Sequence, residues 1–413
     1  MAAFKKDIQY YRFCLYGFLK NQKFYEPFFL LFLLSKDISY LQVGILYSIK
    51  EITVNILEMP AGMIADSAGR RKSMLLSFSL YIISFVLFFI SGSYALLIVA
   101  IIVFGMADVF RTGTHKAMIF SYLEVNNWSH LKVEYYGHTR SCSQFGSAIS
   151  SLIAAAIVII TNKYSMVFVF AIIPYILNLI NLATYPAWLD GVQEKFDPGL
   201  FRNKFYTTLK SLGRAFRDTG TLRIFTNSSL ASGYYNSAKD YLQPLILSMV
   251  VSIPVLQSYS EEDKGSVIIG IVYFMIFILT SRASRNAGRF SRRTGSALRG
   301  MNITFISMML SGILTGLLYH SGILLVSVFL FVILYLFENL RRPICVAGIA
   351  DRMGDESLST FLSTDSQMKS LFTMILSPVI GFLADRISPG GGIGIAAVVL
   401  VMVYPLIRVR VRD

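Results

Sequence analysis

AGMIADSAGRRK, residues Ala61 to Lys72, is a short polar stretch set between two long apolar segments. Gly62 and Gly69 stand seven apart, about two helical turns, and with them come Asp66 and the triplet Arg70, Arg71, Lys72. Each residue type has a physical use here. A small residue lets helix backbones approach closely. An acid at a helix end can meet the positive end of a neighbouring helix or a base, and three bases in a short loop hold it on the cytoplasmic side of a membrane. Composition agrees that the flanks cross a bilayer: of 413 residues 54% are hydrophobic and 15% charged, with a mean hydropathy of +0.59, which ordinary soluble domains do not approach.

Working outward, apolar stretches near twenty residues long begin at about Tyr11, Tyr40, Ser73, Tyr94, Tyr136, Ser165, Leu222, Gly265, Gly300, Gly322, Ser363 and Ile393. The spacing predicts an all-α membrane protein of twelve transmembrane helices. Bases alternate between the two sides. Arg70 to Lys72, then Lys195, Arg202, Lys204, Lys210, Arg214, Arg217 and Arg223, then Arg282 to Arg299, Arg352 and finally Arg408, Arg410 and Arg412 fall on one side. Lys36, Lys163, Lys264, Arg386 and the acids Glu261, Glu262 and Asp263 fall on the other. The positive-inside rule then predicts both termini in the cytoplasm of a multi-pass protein of the plasma membrane, or the inner membrane if bacterial. The net charge of +14 reads as topology rather than as a nucleic-acid surface. The N-terminal run MAAFKKDIQYYRFCLYG has no small-residue cleavage site, and Cys14, Cys142 and Cys345 have no metal or redox spacing.

The one long polar connection, about Leu189 to Thr221, predicts a linker between six-helix halves: 1–188, an N-terminal bundle, and 222–413, a C-terminal bundle. Within the linker, Tyr206 to Phe216 reads either as an amphipathic surface helix or as a solvated tether. The halves repeat one another. Lys23-Phe24-Tyr25-Glu26-Pro27-Phe28 aligns with Asp240-Tyr241-Leu242-Gln243-Pro244-Leu245, and Gly44-Ile45-Leu46-Tyr47 with Gly270-Ile271-Val272-Tyr273. At the second offset Gly62 falls on Gly288 and Gly69 on Gly295, so the second half holds a degenerate copy of the polar loop, with Arg292 where the first has its aspartate. Asp108-x-x-Arg111 likewise matches Glu338-x-x-Arg341.

The order glycine-x-x-x-aspartate-x-x-glycine-arginine-arginine at Gly62, Asp66, Gly69, Arg70 and Arg71 resembles the signature loop of the major facilitator superfamily, which joins the second and third of twelve transmembrane helices. The resemblance covers nearly the whole chain. It implies two pseudo-symmetric six-helix bundles, a secondary transporter working by alternating access around a midplane site, and helices one, four, seven and ten lining the cavity. It gives Gly62, Asp66, Gly69, Arg70 and Arg71 the role of a conformational-switch loop.

Charges inside membrane spans are costly and normally face protein or a watery cavity. Near mid-span the sequence places Lys20, Lys23 and Glu26, then Lys50 and Glu51, Asp108 and Arg111, and Lys239 and Asp240. Nearer the cytoplasm come Glu58, His115, Lys116, His138, Arg140, Glu338, Arg341, Arg342, Asp365 and Lys369. Asp108 and Arg111, like Glu338 and Arg341, are three apart and share a helix face. Each pair reads either as a buried ion pair that neutralises charge or as a switch in which substrate or a proton competes for one partner. Arg111 resembles the buried fourth-helix arginine of proton-coupled members, although the glycines after it do not follow that pattern. Lys116 stands where several efflux branches of the superfamily have an acid, and the bases named here outnumber the acids. Both features favour an anion.

The expected substrate-binding or coupling residues are therefore Lys20, Lys23, Glu26, Lys50, Glu51, Asp108, Arg111, Lys116, Arg140, Lys239, Asp240, Glu338 and Arg341. The expected function is secondary transport of a small or medium organic anion, with proton coupling left open. One alternative is proton-coupled efflux of amphipathic or cationic drugs through Glu26, Glu51 and Asp240; another is a non-transporting sensor or lipid scramblase on the same fold. Gly390-Gly391-Gly392 lacks the lysine and hydroxyl of a P-loop, and no nucleophile–base motif or zinc spacing is present. No enzyme activity, cofactor or metal is expected. The expected partners are a small-molecule anion, protons and membrane lipid but no nucleic acid, and the chain is expected to be a monomer.

Overall fold

The computed structural model describes the chain except residues 1–5, 191–198, 200–205, 207–212, 214–217, 253–260, 354–357 and 411–413; for 133, 261–262, 350–353 and 358–362 it describes the backbone alone. Among the described residues there is no β-strand. The helices are α1 (Ile8–Lys20), α2 (Phe29–Leu34), α3 (Tyr40–Ala68), α4 (Arg70–Ile90), α5 (Tyr94–Arg111), α6 (Thr114–Val125), α7 (Lys132–Thr161) and α8 (Met166–Ala183). After the connection come α9 (Thr219–Ala238), α10 (Leu242–Ser252), α11 (Glu261–Arg293), α12 (Ala297–His320), α13 (Leu324–Met353), α14 (Leu358–Arg386) and α15 (Pro389–Ile407).

These helices make the twelve spans. Nine of them among the described residues are long and apolar enough to cross a membrane as they stand, taking α5 and α6 as one. The other three are the first (α1 with α2), the second (α3) and the seventh (α9 with α10). The first and seventh break at the repeated segments, where 3-10 turns at Glu26–Phe28 and Lys239–Tyr241 interrupt the helix. α3 is continuous but carries Lys50, Glu51 and Asn55 in its middle. Intramembrane polar groups and broken helices are tolerated where protein or water satisfies them, so these three spans need polar partners within the bilayer.

Helix ends follow local chemistry. Asp7 caps α1 through Tyr10 N, Ser93 caps α5 through Leu96 N, and Ser296 caps α12 through Arg299 N. α15 opens with Ser388 bonded to Gly391 N and Pro389 in its first turn. Gly69 and Gly295 have φ of 102° and 84°, a region that L-residues with a side chain rarely occupy. The glycines aligned by the repeat thus both take a positive φ, Gly69 as the single residue between spans two and three and Gly295 within the three residues between spans eight and nine.

By contact the chain divides into two compact units: Met1–Phe28, Thr53–Phe201 and Gly270–Phe274, and Phe29–Ile52, Arg202–Ile269 and Met275–Asp413. In unit 1, α4 packs on α5 and α8, and α1 on α7 and α8. In unit 2, α12 packs on α13 and α15, and α9 on α14. These are the same pairings at the same places in the repeat, with spans three, four and six matching nine, ten and twelve. The sequence put the division in the 189–221 linker, most of which lies outside the described residues, as does the amphipathic segment Tyr206 to Phe216 apart from Tyr206 and Gly213. The contact division also cuts α3 after Ile52, because the first half of α3 is fastened to α14. A Cβ on Gly44 would meet the backbone of Ser377 and Pro378, and one on Gly381 the backbone of Tyr40. Ser48 Oγ donates to Met374 O at 2.5 Å, and the Asp385 carboxylate accepts from Tyr40 N and Leu41 N, both at 2.8 Å.

Candidate functional site

In unit 1, α5 ends at Arg111, two residues before Gly113 with its φ of 80°, which puts Asp108 and Arg111 in the last turn of the helix. Arg111 Nη2 donates to Asp108 Oδ1 at 2.9 Å, and both side chains keep about a fifth of their surface open, 20% and 23%. α4 supplies the third member. Tyr81 OH accepts from Arg111 Nε at 3.0 Å and donates to Asp108 Oδ1. An arginine, a carboxylate and a phenol thus close a ring of hydrogen bonds, with aromatic walls from Phe85, Phe104 and Tyr175 around Tyr81. A buried guanidinium stays charged and needs such partners.

Lys20, at the end of α1, lies above the Tyr16 ring at 5.9 Å and within electrostatic reach of Arg111, Lys23, Asp108 and Arg140. His115 stacks on Tyr16 with centroids 3.5 Å apart and meets Tyr185 OH at 3.2 Å. Tyr185 donates in turn to Arg12 O, and burial pushes its hydroxyl well above the usual range, so it serves as a neutral donor. Just past Lys20, Lys23 pairs with Glu26 at 3.7 Å.

In unit 2, Lys239 Nζ lies 3.3 Å from Asp240 Oδ1, while Asp240 Oδ2 accepts from Tyr47 OH at 2.8 Å. Tyr335 OH donates to the Lys239 carbonyl at 2.7 Å, so the break in the seventh span is held from both α3 and α13. Lys50 pairs with Glu51 at 3.7 Å, and Glu51 accepts from Ser370 on α14. Glu338 and Arg341 do not pair, although their spacing equals that of Asp108 and Arg111. Arg341 is fully buried and donates to Met301 O at 2.5 Å, Asn227 O at 2.6 Å, Thr304 Oγ1 at 3.0 Å and the Asn227 side chain. Glu338 accepts instead from Ser232 Oγ at 2.9 Å. Oxygens from neighbouring helices compete with the i, i+3 carboxylate and win, so the intrahelical pair read from spacing is absent here.

In the 61–72 stretch α3 runs to Ala68 and α4 begins at Arg70, and the bases of the stretch fasten it. Arg70 Nη1 donates to Ser121 Oγ at 2.7 Å. Arg71 N donates to Asp190 Oδ1 at 2.7 Å and Arg71 Nη1 to Tyr185 O at 2.9 Å. Asp66 is exposed and has no ion pair among the described residues, and a Cβ on Gly62 would meet nothing within 4 Å. The close approach expected at Gly62 is therefore not made in this structure. Lys116 and Arg140 are exposed on α6 and α7, Lys116 beside the rings of Phe120 and Tyr136. Sequence reasoning passed over Tyr81, Asp190 and Tyr47. Tyrosines are too common in apolar helices to stand out, and Asp190 lies 119 residues from the arginine it meets. Among the described residues no cluster of three His, Cys, Asp or Glu side chains could hold a metal ion.

Comparison with known proteins bears on this arrangement. The profile described as the Major Facilitator Superfamily matches residues 21–338. The uncharacterized MFS-type transporter YxaM of Bacillus subtilis (strain 168) is 33% identical over 92 residues, 22% of this chain and 23% of that relative's length. The crystal structure of the nucleoside transporter NupG superposes with a TM-score of 0.72 over 96% of both chains at 14% identity. A bacterial homolog of the human lysosomal transporter Spinster, captured inward-facing and occupied, gives 0.71 over 98% of this chain and 97% of that one at 12% identity. Such distant likenesses establish the fold.

Proposed function

The chain belongs to the major facilitator superfamily, and from that premise we propose that it carries a small or medium organic anion across the membrane by alternating access of two six-helix halves, 1–188 and 222–413, joined by the 189–221 linker. The observation that carries the reading is the Arg111, Asp108 and Tyr81 ring. Arg111 is charged, partly open and paired with a carboxylate that is itself partly open. An arriving carboxylate or phosphate can take the place of Asp108 on the guanidinium fork in two-point fashion. The exchange keeps Arg111 paired at every step, which avoids the cost of an uncompensated buried charge. Tyr81 can follow either partner, since a phenol both donates and accepts.

Cationic efflux, the alternative reading, would need the same kind of partner exchange at other pairs. Glu26, Glu51 and Asp240, the acids such a pump would use, each lie against an adjacent lysine at 3.3 to 3.7 Å. We place both termini in the cytoplasm, following the alternation of basic loops. The test is counterflow in proteoliposomes against a panel of organic anions and cations, with and without a pH gradient. Exchange of anions that stops in Arg111→Gln supports the proposal, and stimulation by an inward proton gradient adds coupling. Exchange confined to cations replaces the proposal with efflux, and no exchange of any solute favours a sensor or scramblase.

A further inference from the structure

Lys116, on α6, and Lys132, the first residue of α7, reach the same ring from two helices: their Nζ atoms lie 5.3 and 5.6 Å from the centroid of Phe120. Tyr136 completes the platform, edge-on to Phe120 at 6.0 Å and 5.7 Å from Lys116 Nζ. The placement follows from helix periodicity. Lys116 and Phe120 are four apart on α6, and Lys132, Tyr136 and Arg140 four apart on α7, so each set forms one stripe. Glu134 lies two residues from both Lys132 and Tyr136, which turns it to the opposite side of α7. Among the described residues neither lysine has a carboxylate partner, and neither Glu124 nor Glu134 forms an ion pair with them.

A second feature adds to the positive charge. The N-terminus of α7 has Leu131 in the capping position with no side-chain cap bond; the 3-10 turn before it takes the Lys132 N–H at Ser129 O, and the positive end of the helix dipole lies beside Lys132 with Glu134 in the same first turn. A lysine in the first turn is the wrong sign for that end. Two like charges share one aromatic step near a helix N-terminus, and an oxyanion bound beside both would lower their mutual repulsion. Nearby, Arg70 holds Ser121, the residue after Phe120. Arg140, one turn beyond Tyr136, is within electrostatic reach of Lys20, which is in turn within reach of Arg111.

We propose that Lys116 and Lys132, seated on Phe120 and Tyr136, form a second oxyanion site in unit 1, occupied by a phosphate or carboxylate group before it passes by way of Arg140 to Arg111. The site's existence is independent of the transport reading; only its role as an arrival station rests on it. Its ligand chemistry is that of a phosphate oxyanion, and the source is either a soluble anion or the headgroup of an anionic lipid, since lysines with aromatics at span ends also suit the membrane surface.

The test is amine acetylation followed by mass spectrometry on the full-length protein in phosphatidylcholine nanodiscs, with inorganic phosphate as probe. Phosphate should slow modification of Lys116 and Lys132 together by several-fold and leave exposed Lys163, at the far end of α7, unchanged. Lys132→Gln should abolish the protection of Lys116. Protection that arises from phosphatidylglycerol in the disc without added phosphate assigns the site to a lipid headgroup; protection by phosphate in neutral discs assigns it to a soluble anion. Absence of protection in both discs overturns the site, as does protection of Lys116 that survives Lys132→Gln. A wild-type protein that shows this protection yet exchanges no anion would defeat the transport reading and leave the site standing.

Discussion

Arg341 is the charge whose loss should damage the fold most. Its side chain is 0% exposed, crosses from α13 to Met301 and Thr304 on α12 and Asn227 on α9, and rests on the Phe305 ring at 5.6 Å. Arg341→Gln withdraws a charged donor from oxygens on two other helices. Each hydrogen bond to a charged group contributes about 1.5–3 kcal/mol, but such bonds in one network do not add. The cost of removing one partner from a buried charged network, about 3–5 kcal/mol, is the better measure. At about 2–4 °C per kcal/mol for a unit of this size, the melting temperature should fall by roughly 6–20 °C. The assay is thermal unfolding of the purified protein in detergent, with Glu338→Gln as the companion variant, because the amide oxygen can still accept from Ser232 and the expected fall is small. If Arg341→Gln melts within about 2 °C of wild type, a loss under ~1 kcal/mol, while transport is abolished, the structural role argued here is refuted and Arg341 returns to the substrate-contacting set.

Four further outcomes are expected. Arg111→Lys keeps the charge but not the fork, so it should retain some equilibrium binding of the anion found by counterflow and lose most exchange, whereas Arg111→Gln should lose both. Asp66→Asn should leave that affinity nearly intact and slow turnover, and a large drop in binding at a normal exchange rate would contradict the switch role of the loop. Lys239→Ala should weaken anion binding, while Asp240→Asn, next to Tyr47 and Lys239, should mainly lower the melting temperature, by the equivalent of about 1–2 kcal/mol; if water-soluble thiol reagents reach a cysteine at neither position, the seventh-span break does not face solvent. Asp385→Ala removes the carboxylate cap from the start of α3 at a cost of about 1 kcal/mol, and faster hydrogen exchange of the Tyr40 and Leu41 amides is the readout; unchanged protection would show that the cap contributes nothing.

What the linear sequence determined about this protein is what depends on solvent and on near neighbours. Twelve apolar stretches demand a bilayer because that much apolar surface cannot stay in water, they must be helical there because unpaired backbone groups cannot remain in hydrocarbon, and the helices begin and end near where those stretches do. The repeat was legible as spacing, and the matching positive φ of Gly69 and Gly295 follows from the one residue type that makes that turn freely. The breaks in the first and seventh spans fall on the aligned Lys23 and Asp240 segments, where polar side chains and a proline interrupt apolar runs. Only the tertiary structure decided what the charges do. Asp108-x-x-Arg111 and Glu338-x-x-Arg341 have the same spacing, yet the first closes an ion pair and the second does not. The difference lies in the helices packed alongside. α4 brings Tyr81, a donor that holds Asp108 against Arg111, whereas α9 and α12 bring carbonyl, amide and hydroxyl oxygens to both terminal nitrogens of Arg341. Helix spacing limits which groups can meet, and long-range packing chooses among them, because a buried charge takes the best-placed oxygens within reach whichever helix supplies them.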